Sequence, residues 1–172
     1  MSRRSEVTNV IVCGLGGQGV IKASDIVADA ACRAGFDVKK AEIHGMSQRG
    51  GSVSSDVRFG KEVLSPMVPV GEADYLVVVA PDQVANVLPL LREGGVLIDS
   101  TLLGESAAAS GKSLNMALLG ALSWHLPMER RHWQEAMEAN LDAKWHKANA
   151  QAFETGHRLA RQRAEADGQA AR

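Results

Sequence analysis

Six residues, Gly14-Leu15-Gly16-Gly17-Gln18-Gly19, satisfy the spacing G-x-G-x-x-G. Glycine admits the left-handed backbone of a tight turn and lets a ligand come close to the main chain. Where a helix begins directly after such a turn, its first N–H groups have no acceptor within the helix and sit at the positive end of the dipole. The combination suits a phosphate or a carboxylate. The same glycines would also serve if they only let a helix pack tightly on a strand, and both readings stand at this point. A nicotinamide dinucleotide fits less well. Its ribose-reading acid should close the next strand about 20 residues on. Glu42, the carboxylate at that strand end, lies 23 residues beyond Gly19 and 28 beyond Gly14. Gln18 is unusual inside the turn, where its amide can order neighbouring loops or hydrogen-bond a ligand.

A second polar group follows: Glu42, His44, Ser47, Gln48 and Arg49, ending in Gly50-Gly51-Ser52. Arg49 could grip a phosphate or carboxylate with two parallel hydrogen bonds, and His44 could exchange a proton near neutral pH. No nucleophile is spaced to form a triad with His44, so no catalytic residue is assigned, and a solvated loop or subunit contact would use the same residues. His125, His132, His146 and His157 show no two-histidine-plus-carboxylate pattern and read as surface residues. Cys13 and Cys32 read as buried thiols. Without a CxxC pair or a four-ligand set, neither an iron–sulfur cluster nor a structural zinc is expected from this chain alone, and no metal site is assigned. Trp124, Trp133, Trp145, Phe153 and Leu159 read as packing between helices or against a partner.

The elements that must position these groups follow from periodicity. Val7–Cys13 is a short Val/Ile-rich run, the pattern of a buried parallel strand. Val20, Ile21, Ala23, Ile26, Val27, Ala30 and Ala31 recur at helical spacing. Gly35 is placed to end that helix, and Phe36–Ile43 supplies the next strand, completing a βαβ unit. Val53, Ser55, Val57 and Phe59 alternate with Ser52, Ser54, Asp56 and Arg58, which predicts a half-exposed strand. Its short link to the preceding strand leaves no room for a helical crossover, so an antiparallel or edge pairing is expected. Ser65–Pro69 cannot be a central strand. Tyr75–Ala80 and Val96–Asp99 are further strands, joined by a helix from Pro81 to Leu91 that Pro89 should end or kink early. The small polar residues 100–113 read as a loop. Helices follow over Leu114–Leu126, Met128–Asn140 and Ala143 to about Arg163. The expectation is an α/β, Rossmann-like three-layer sandwich, with a mostly parallel sheet, helices on both faces and C-terminal helices. Residues 1–6 would be a tail, 7–163 the domain and 164–172 a frayed tail.

A chain of 172 residues with 45% hydrophobic and 23% charged residues suits one globular domain. Its net charge of −1 leaves no basic footprint for nucleic acid. No apolar run reaches the ~20 residues that span a bilayer. The apolar run after the basic Met1–Glu6 ends in the glycine turn, not in a cleavage site, so a cytoplasmic protein is expected.

Together these residues resemble the gamma-type domain of the 2-oxoacid:ferredoxin oxidoreductases, and within that family the beta (small) subunit of the indolepyruvate enzymes. The likeness is carried by Gly14–Val20, by Glu42-Ile-His-Gly-Met-Ser-Gln-Arg-Gly-Gly-Ser-Val53, by Ser65-Pro66 and by Gly71–Asp74. It continues through Asn115-Met116, Leu119-Gly120-Ala121, Asn149, Ala152-Phe153-Glu154 and Gly156, and covers about residues 7–160. It implies a subunit, not catalytic alone, of an enzyme that oxidatively decarboxylates a 2-oxoacid to its acyl-CoA, with an aryl substrate such as indolepyruvate or phenylglyoxylate. Larger partner subunits would hold thiamine diphosphate, Mg and 4Fe–4S clusters, and ferredoxin or a similar acceptor would take the electrons. On this reading Gly14, Gly16, Gly17, Gln18, Gly19 and Arg49 are candidates for a coenzyme A phosphate or for a subunit junction. Family members carry a longer segment where this chain has residues 100–113. The other reading of the same residues is a free-standing nucleotide-binding or regulatory Rossmann-like module.

Overall fold

The structure is a computed structural model and describes residues 6–44, 51–106 and 111–170. Ser47, Gln48 and Arg49 lie outside the described residues, as do residues 107–110 of the small-residue stretch.

Five strands form one sheet in the order β2-β3-β1-β4-β5. They are β1 (Val7–Leu15), β2 (Asp37–His44), β3 (Ser52–Gly60), β4 (Ala73–Val78) and β5 (Leu91–Asp99). β4 runs parallel to β1 and to β5, while β3 runs antiparallel to both β1 and β2. Four strands therefore point one way and one points back. The short link after β2 dictates this, as its length implied, but β3 lies inside the sheet, between β2 and β1, not at an edge. The unit β1–helix–β2 accordingly joins strands that are parallel yet separated by one position.

Helix α1 (Val20–Arg33) follows the glycine turn and buries Val20, Ala23, Ser24, Ile26, Val27, Ala30 and Ala31. A short helical stretch, with α2 (Val84–Val87) between 3-10 turns at Pro81–Gln83 and Leu88–Leu90, replaces the single helix expected there. Proline at position 89 cannot donate to a continuing helix, which accounts for the break. The chain then runs through α3 (Leu114–His125), α4 (Arg130–Asn140) and α5 (His146–Ala170).

The two faces of the sheet are covered unequally. Val10, Val12, Val57, Phe59, Val77 and Ile98 pack under α1, α3, α4 and α5 in one core. The opposite face packs Ile11, Cys13, Leu76 and Val78 against Val68, Val84, Val87 and Leu90, a thin layer made of a loop and the α2 stretch. Helical layer, sheet and thin layer are the three layers, and the four long helices share one side. α3 is buried along Met116–Ser123 because it lies between the sheet and α5, which explains its apolar character on every side. It meets α5 backbone to backbone. A Cβ on Gly120 would collide with the carbonyl of Phe153, and one on Gly156 with the carbonyl of Ala117.

Three sequence expectations change. Asp56 is 3% exposed, so β3 is not half-open to water; the loop that follows β3 lies over that face and its Val68 amide bonds Asp56. Cys32 is exposed, because it falls a further 100° round α1 from the Ala30/Ala31 edge of the buried stripe. Helix α5 continues to Ala170 instead of fraying after Arg163. Ala, Glu and Gln make up five of the seven residues 164–170 and favour helix even where it is exposed. Among the described residues no helix is long and apolar enough to cross a membrane.

Candidate functional site at the carboxyl edge of the sheet

Four strands of one direction, β1, β2, β4 and β5, end at the edge where open α/β sheets gather ligands, and the glycine turn rises from β1 there. The turn is closed mainly by its own atoms. The Leu15 amide donates to Gln18 Oε1 at 2.7 Å, the Gly16 amide to the Gly51 carbonyl at 3.0 Å, and the Gln18 amide to the Leu15 carbonyl at 3.2 Å. Gln18 therefore folds inward and braces the loop. Gly17 and Gly19 take positive φ, 85° and 74°, and a Cβ on Gly19 would also collide with the Asn115 amide. Gly14 serves packing: a Cβ there would come 2.7 Å from Val20 Cγ2 and 2.8 Å from Gln18 Oε1. Asn115 of α3 donates to the Gly19 carbonyl at 3.3 Å, tying the turn to the helical layer.

After these bonds, the amides of Val20, Ile21 and Lys22 are the first-turn N–H groups that α1 cannot satisfy itself. Its first internal bond runs from Ala23 to Gly19, and no side chain caps this end. The turn thus retains a small donor cluster at a positive helix end. It does not offer all six of its residues.

The dinucleotide fingerprint fails for a structural reason. Glu42 accepts from Lys40 Nζ at 2.6 Å, and the same ammonium donates to Asp25 of α1 at 2.7 Å. The carboxylate that would read a ribose is engaged in joining β2 to α1. His44 closes β2 opposite Val53.

Beneath the turn lies a cleft of about 150 Å³, lined by Cys13, Gly14, Ile43, Ser52, Val53, Ser54, Gln83, Val87 and Leu90. Burial, and secondarily the charge of Asp56, push the Cys13 thiol up to about 12. At neutral pH it is a neutral apolar wall, not a nucleophile. A larger cleft of about 390 Å³ lies between α4 and α5, away from this edge.

The C-terminal histidines serve local structure. His132 completes a capping box with Glu129 at the start of α4. His146 Nε2 bonds the Leu141 carbonyl at 2.7 Å, and His157 Nδ1 meets Ser123 Oγ at 2.8 Å. They do not converge, and the described residues contain no group of three or more His, Cys, Asp or Glu able to hold a metal.

Sequence reasoning passed over a buried polar network on the thin face. Arg58 Nε donates to Asn9 Oδ1 at 2.9 Å, the Asn9 amide to Asp74 Oδ2 at 2.8 Å, and Arg92 Nε to Asp74 Oδ1 at 2.6 Å. Asp56 Oδ2 accepts the Val68 amide at 2.8 Å. The alternation of β3 placed Asp56 and Arg58 on one face correctly; only the loop folded over that face was invisible.

The family model described as pyruvate ferredoxin/flavodoxin oxidoreductase matches residues 9–159. The chain belongs to that family. The match runs from β1 to near the middle of α5, so it takes in the glycine turn, the sheet and the Gly120/Gly156 contact. The family's IorB indolepyruvate oxidoreductase subunit from Thermococcus kodakarensis is 29% identical over 194 positions, covering 90% of this chain and 96% of that one. Its counterpart from Methanothermobacter thermautotrophicus is 45% identical over 93 positions, covering 54% and 47%. Among solved structures, the keto/oxoacid ferredoxin oxidoreductase gamma subunit from Geobacter sulfurreducens has a TM-score of 0.71 at 23% identity, covering 89% of this chain and 98% of that one. The 2-oxoglutarate:ferredoxin oxidoreductase from Magnetococcus marinus reaches 0.81 at 20% identity, where 92% of this chain corresponds to 32% of a longer one. The resemblance read from residues 7–160 is thereby borne out, and so is the α/β fold.

Proposed function

We propose that this chain is the small subunit of a 2-oxoacid oxidoreductase of the indolepyruvate type. The observation that carries the reading is the end-to-end correspondence with an IorB subunit, 90% of one chain against 96% of the other. The subunit is not catalytic alone. A 4Fe–4S cluster calls for four thiolates, and the chain has two cysteines, one a buried neutral thiol and the other exposed on α1. The donor set does not fit a cluster, so the clusters belong to larger chains of the complex; the family resemblance assigns thiamine diphosphate and Mg to those chains as well, and the electrons leave through them to ferredoxin or a similar acceptor.

A coenzyme A phosphate fits the glycine turn in a restricted form. Gly17, Gly19 and the first-turn amides of α1 supply donors and a positive helix end, and Arg49, outside the described residues, is the sequence's candidate for the countercharge. Gly14 and Gln18 act by shaping the turn, and Gly16 holds it to Gly51. The apolar cleft below the turn would exclude water from whatever docks there. An aryl 2-oxoacid is the substrate class, with indolepyruvate ahead of phenylglyoxylate on the names of the relatives. Of the other reading, a free-standing nucleotide-binding or regulatory module, the dinucleotide-binding form loses support because Glu42 is committed to Lys40.

The test is reconstitution. Co-expressed with its larger chains, the protein should yield CoA-dependent reduction of ferredoxin or a viologen dye by indolepyruvate, and either component alone should give none. Activity of the larger chains unchanged without this one would sink the reading. Arg49→Ala should raise the apparent KM for CoA and leave assembly intact; unchanged kinetics would remove Arg49 from the phosphate site.

A further inference from the structure

The loop that covers the thin face of the sheet is tied down by polar groups and leaves much of its apolar surface outside. Its polar anchors lie beneath it. Asp37 accepts the Val63 amide at 2.7 Å, Asp56 accepts the Val68 amide at 2.8 Å, and Arg58 donates to the carbonyls of Ser65 and Met67 at 2.9 and 3.2 Å. Asp56 is 3% exposed, and Asn9, which holds Arg58 and the Glu72 carbonyl, is 5% exposed. Val63 and Val68 turn inward with them, at 3% and 8% exposed, but three apolar side chains point the other way: Leu64 is 88% exposed, Val70 78% and Met67 48%. Gly71 brings the loop beside the Pro89 carbonyl, where Leu88 is also exposed, and Ile43, 42% exposed, lines the cleft at the sheet edge with Val87 and Leu90.

Scattered surface apolar residues need no explanation, but exposed Leu64, Met67 and Val70 on one short anchored loop do. Each Leu or Val left in water forgoes roughly 1.5–3 kcal/mol of burial. Meanwhile buried polar groups such as Asp56 and Asn9 are stable only because every bond is made. Such a surface becomes favourable when something dry covers it.

We propose that residues 61–72 and 81–93 form the docking surface for the larger, thiamine diphosphate-binding chain of the complex, which meets their exposed Leu64, Met67, Val70 and Leu88 with an apolar face. The inference rests on the reading of the chain as a small subunit. The size is right: the two segments together hold about 25 residues, and a specific stable interface uses about 20–30 a side. The charge is right as well. Arg58 is consumed beneath the loop, Arg92 is paired with Asp74, and Lys61 is outweighed by Glu62, Glu72, Asp82 and Glu93, so the surface offers no positive field to a nucleic acid or an anionic membrane. The anchored loop is preorganised, which lowers the ordering cost of docking. In the Magnetococcus marinus protein the same fold is 32% of one longer chain. A separate small chain must obtain by docking the neighbour that such a fusion has by covalent linkage.

The test co-expresses the tagged chain with the thiamine diphosphate-binding chain and identifies the recovered partner by mass spectrometry. Leu64→Glu/Val70→Glu replaces two exposed side chains and should leave the thermal unfolding of the isolated chain unchanged. It should weaken partner binding by at least about a hundredfold, as losing two apolar anchors does. Trp145→Glu/Lys147→Glu, at the start of α5 on the other side, should retain the partner. Wild-type recovery with Leu64→Glu/Val70→Glu, or loss confined to the α5 variant, overturns the proposal. So does self-association of the isolated chain that Leu64→Glu/Val70→Glu abolishes without touching the complex. A wild-type chain that takes up no larger chain overturns the subunit reading itself, and this surface with it.

Discussion

At Cys13 the sheet interior makes an intrinsically reactive group inert. Charging the thiol would place a thiolate in an apolar layer within reach of the Asp56 carboxylate, so its protonation persists up to about pH 12. Cys32, exposed on α1, has no such protection. A thiol-directed reagent applied to the native protein at pH 8 should therefore modify Cys32 and leave Cys13 untouched until the protein unfolds. Peptide mapping by mass spectrometry reads both sites, and labelling of native Cys13 would contradict the packing described. The contrast was not legible beforehand, since periodicity placed both cysteines near apolar stripes and one residue of rotation separates inside from outside. The glycine turn was legible in its context, between strand and helix. The direction of Gln18 was not, because spacing says nothing about whether an amide in a turn faces the ligand or its own loop.

At the level of elements, the contact between α3 and α5 decides how the helical layer stacks. Replacing a helical glycine by alanine ordinarily stabilises by about 0.5–1 kcal/mol through backbone entropy. Gly168, in the exposed part of α5 with nothing within 4 Å of its Cβ position, should follow that rule. Gly156→Ala should do the opposite. The new methyl meets the Ala117 carbonyl, a backbone atom that no rotamer change can move, so the helices must separate. A net loss of about 1–3 kcal/mol or more is expected from such overpacking. Urea unfolding of the two variants side by side checks the reversal of sign. The helices themselves were readable from their apolar spacing, and the antiparallel sense of β3 from its short link. Their arrangement was not. Amphipathicity marks which side of a helix is dry but not which face of the sheet it covers, and the insertion of β3 between β2 and β1 depends on pairings far apart in the chain.

On the scale of the whole molecule, an uneven three-layer build predicts uneven stability. The helical layer and sheet share one large core, whereas the thin layer rests on a small one and on a few charged tethers. Asp37 is one of them: the Val63 amide, and then Lys39, hold its carboxyl below the usual 3.8. A carboxyl with a depressed folded value contributes stability above its unfolded value and loses it as the pH falls through the folded one. Below about pH 4 the Val63 amide should therefore exchange with solvent earlier than the β1 amides, which wait for global opening. Hydrogen exchange against pH follows this directly, and Asp37→Asn should abolish the acid-dependent part. The close approach of Gly120 and Gly156 has a consequence for inheritance as well. Every amino acid reached from a glycine codon by one base change carries a Cβ, so neither position has a mild missense neighbour. The two codons are locked as a pair, and in any set of aligned relatives they should change together or not at all.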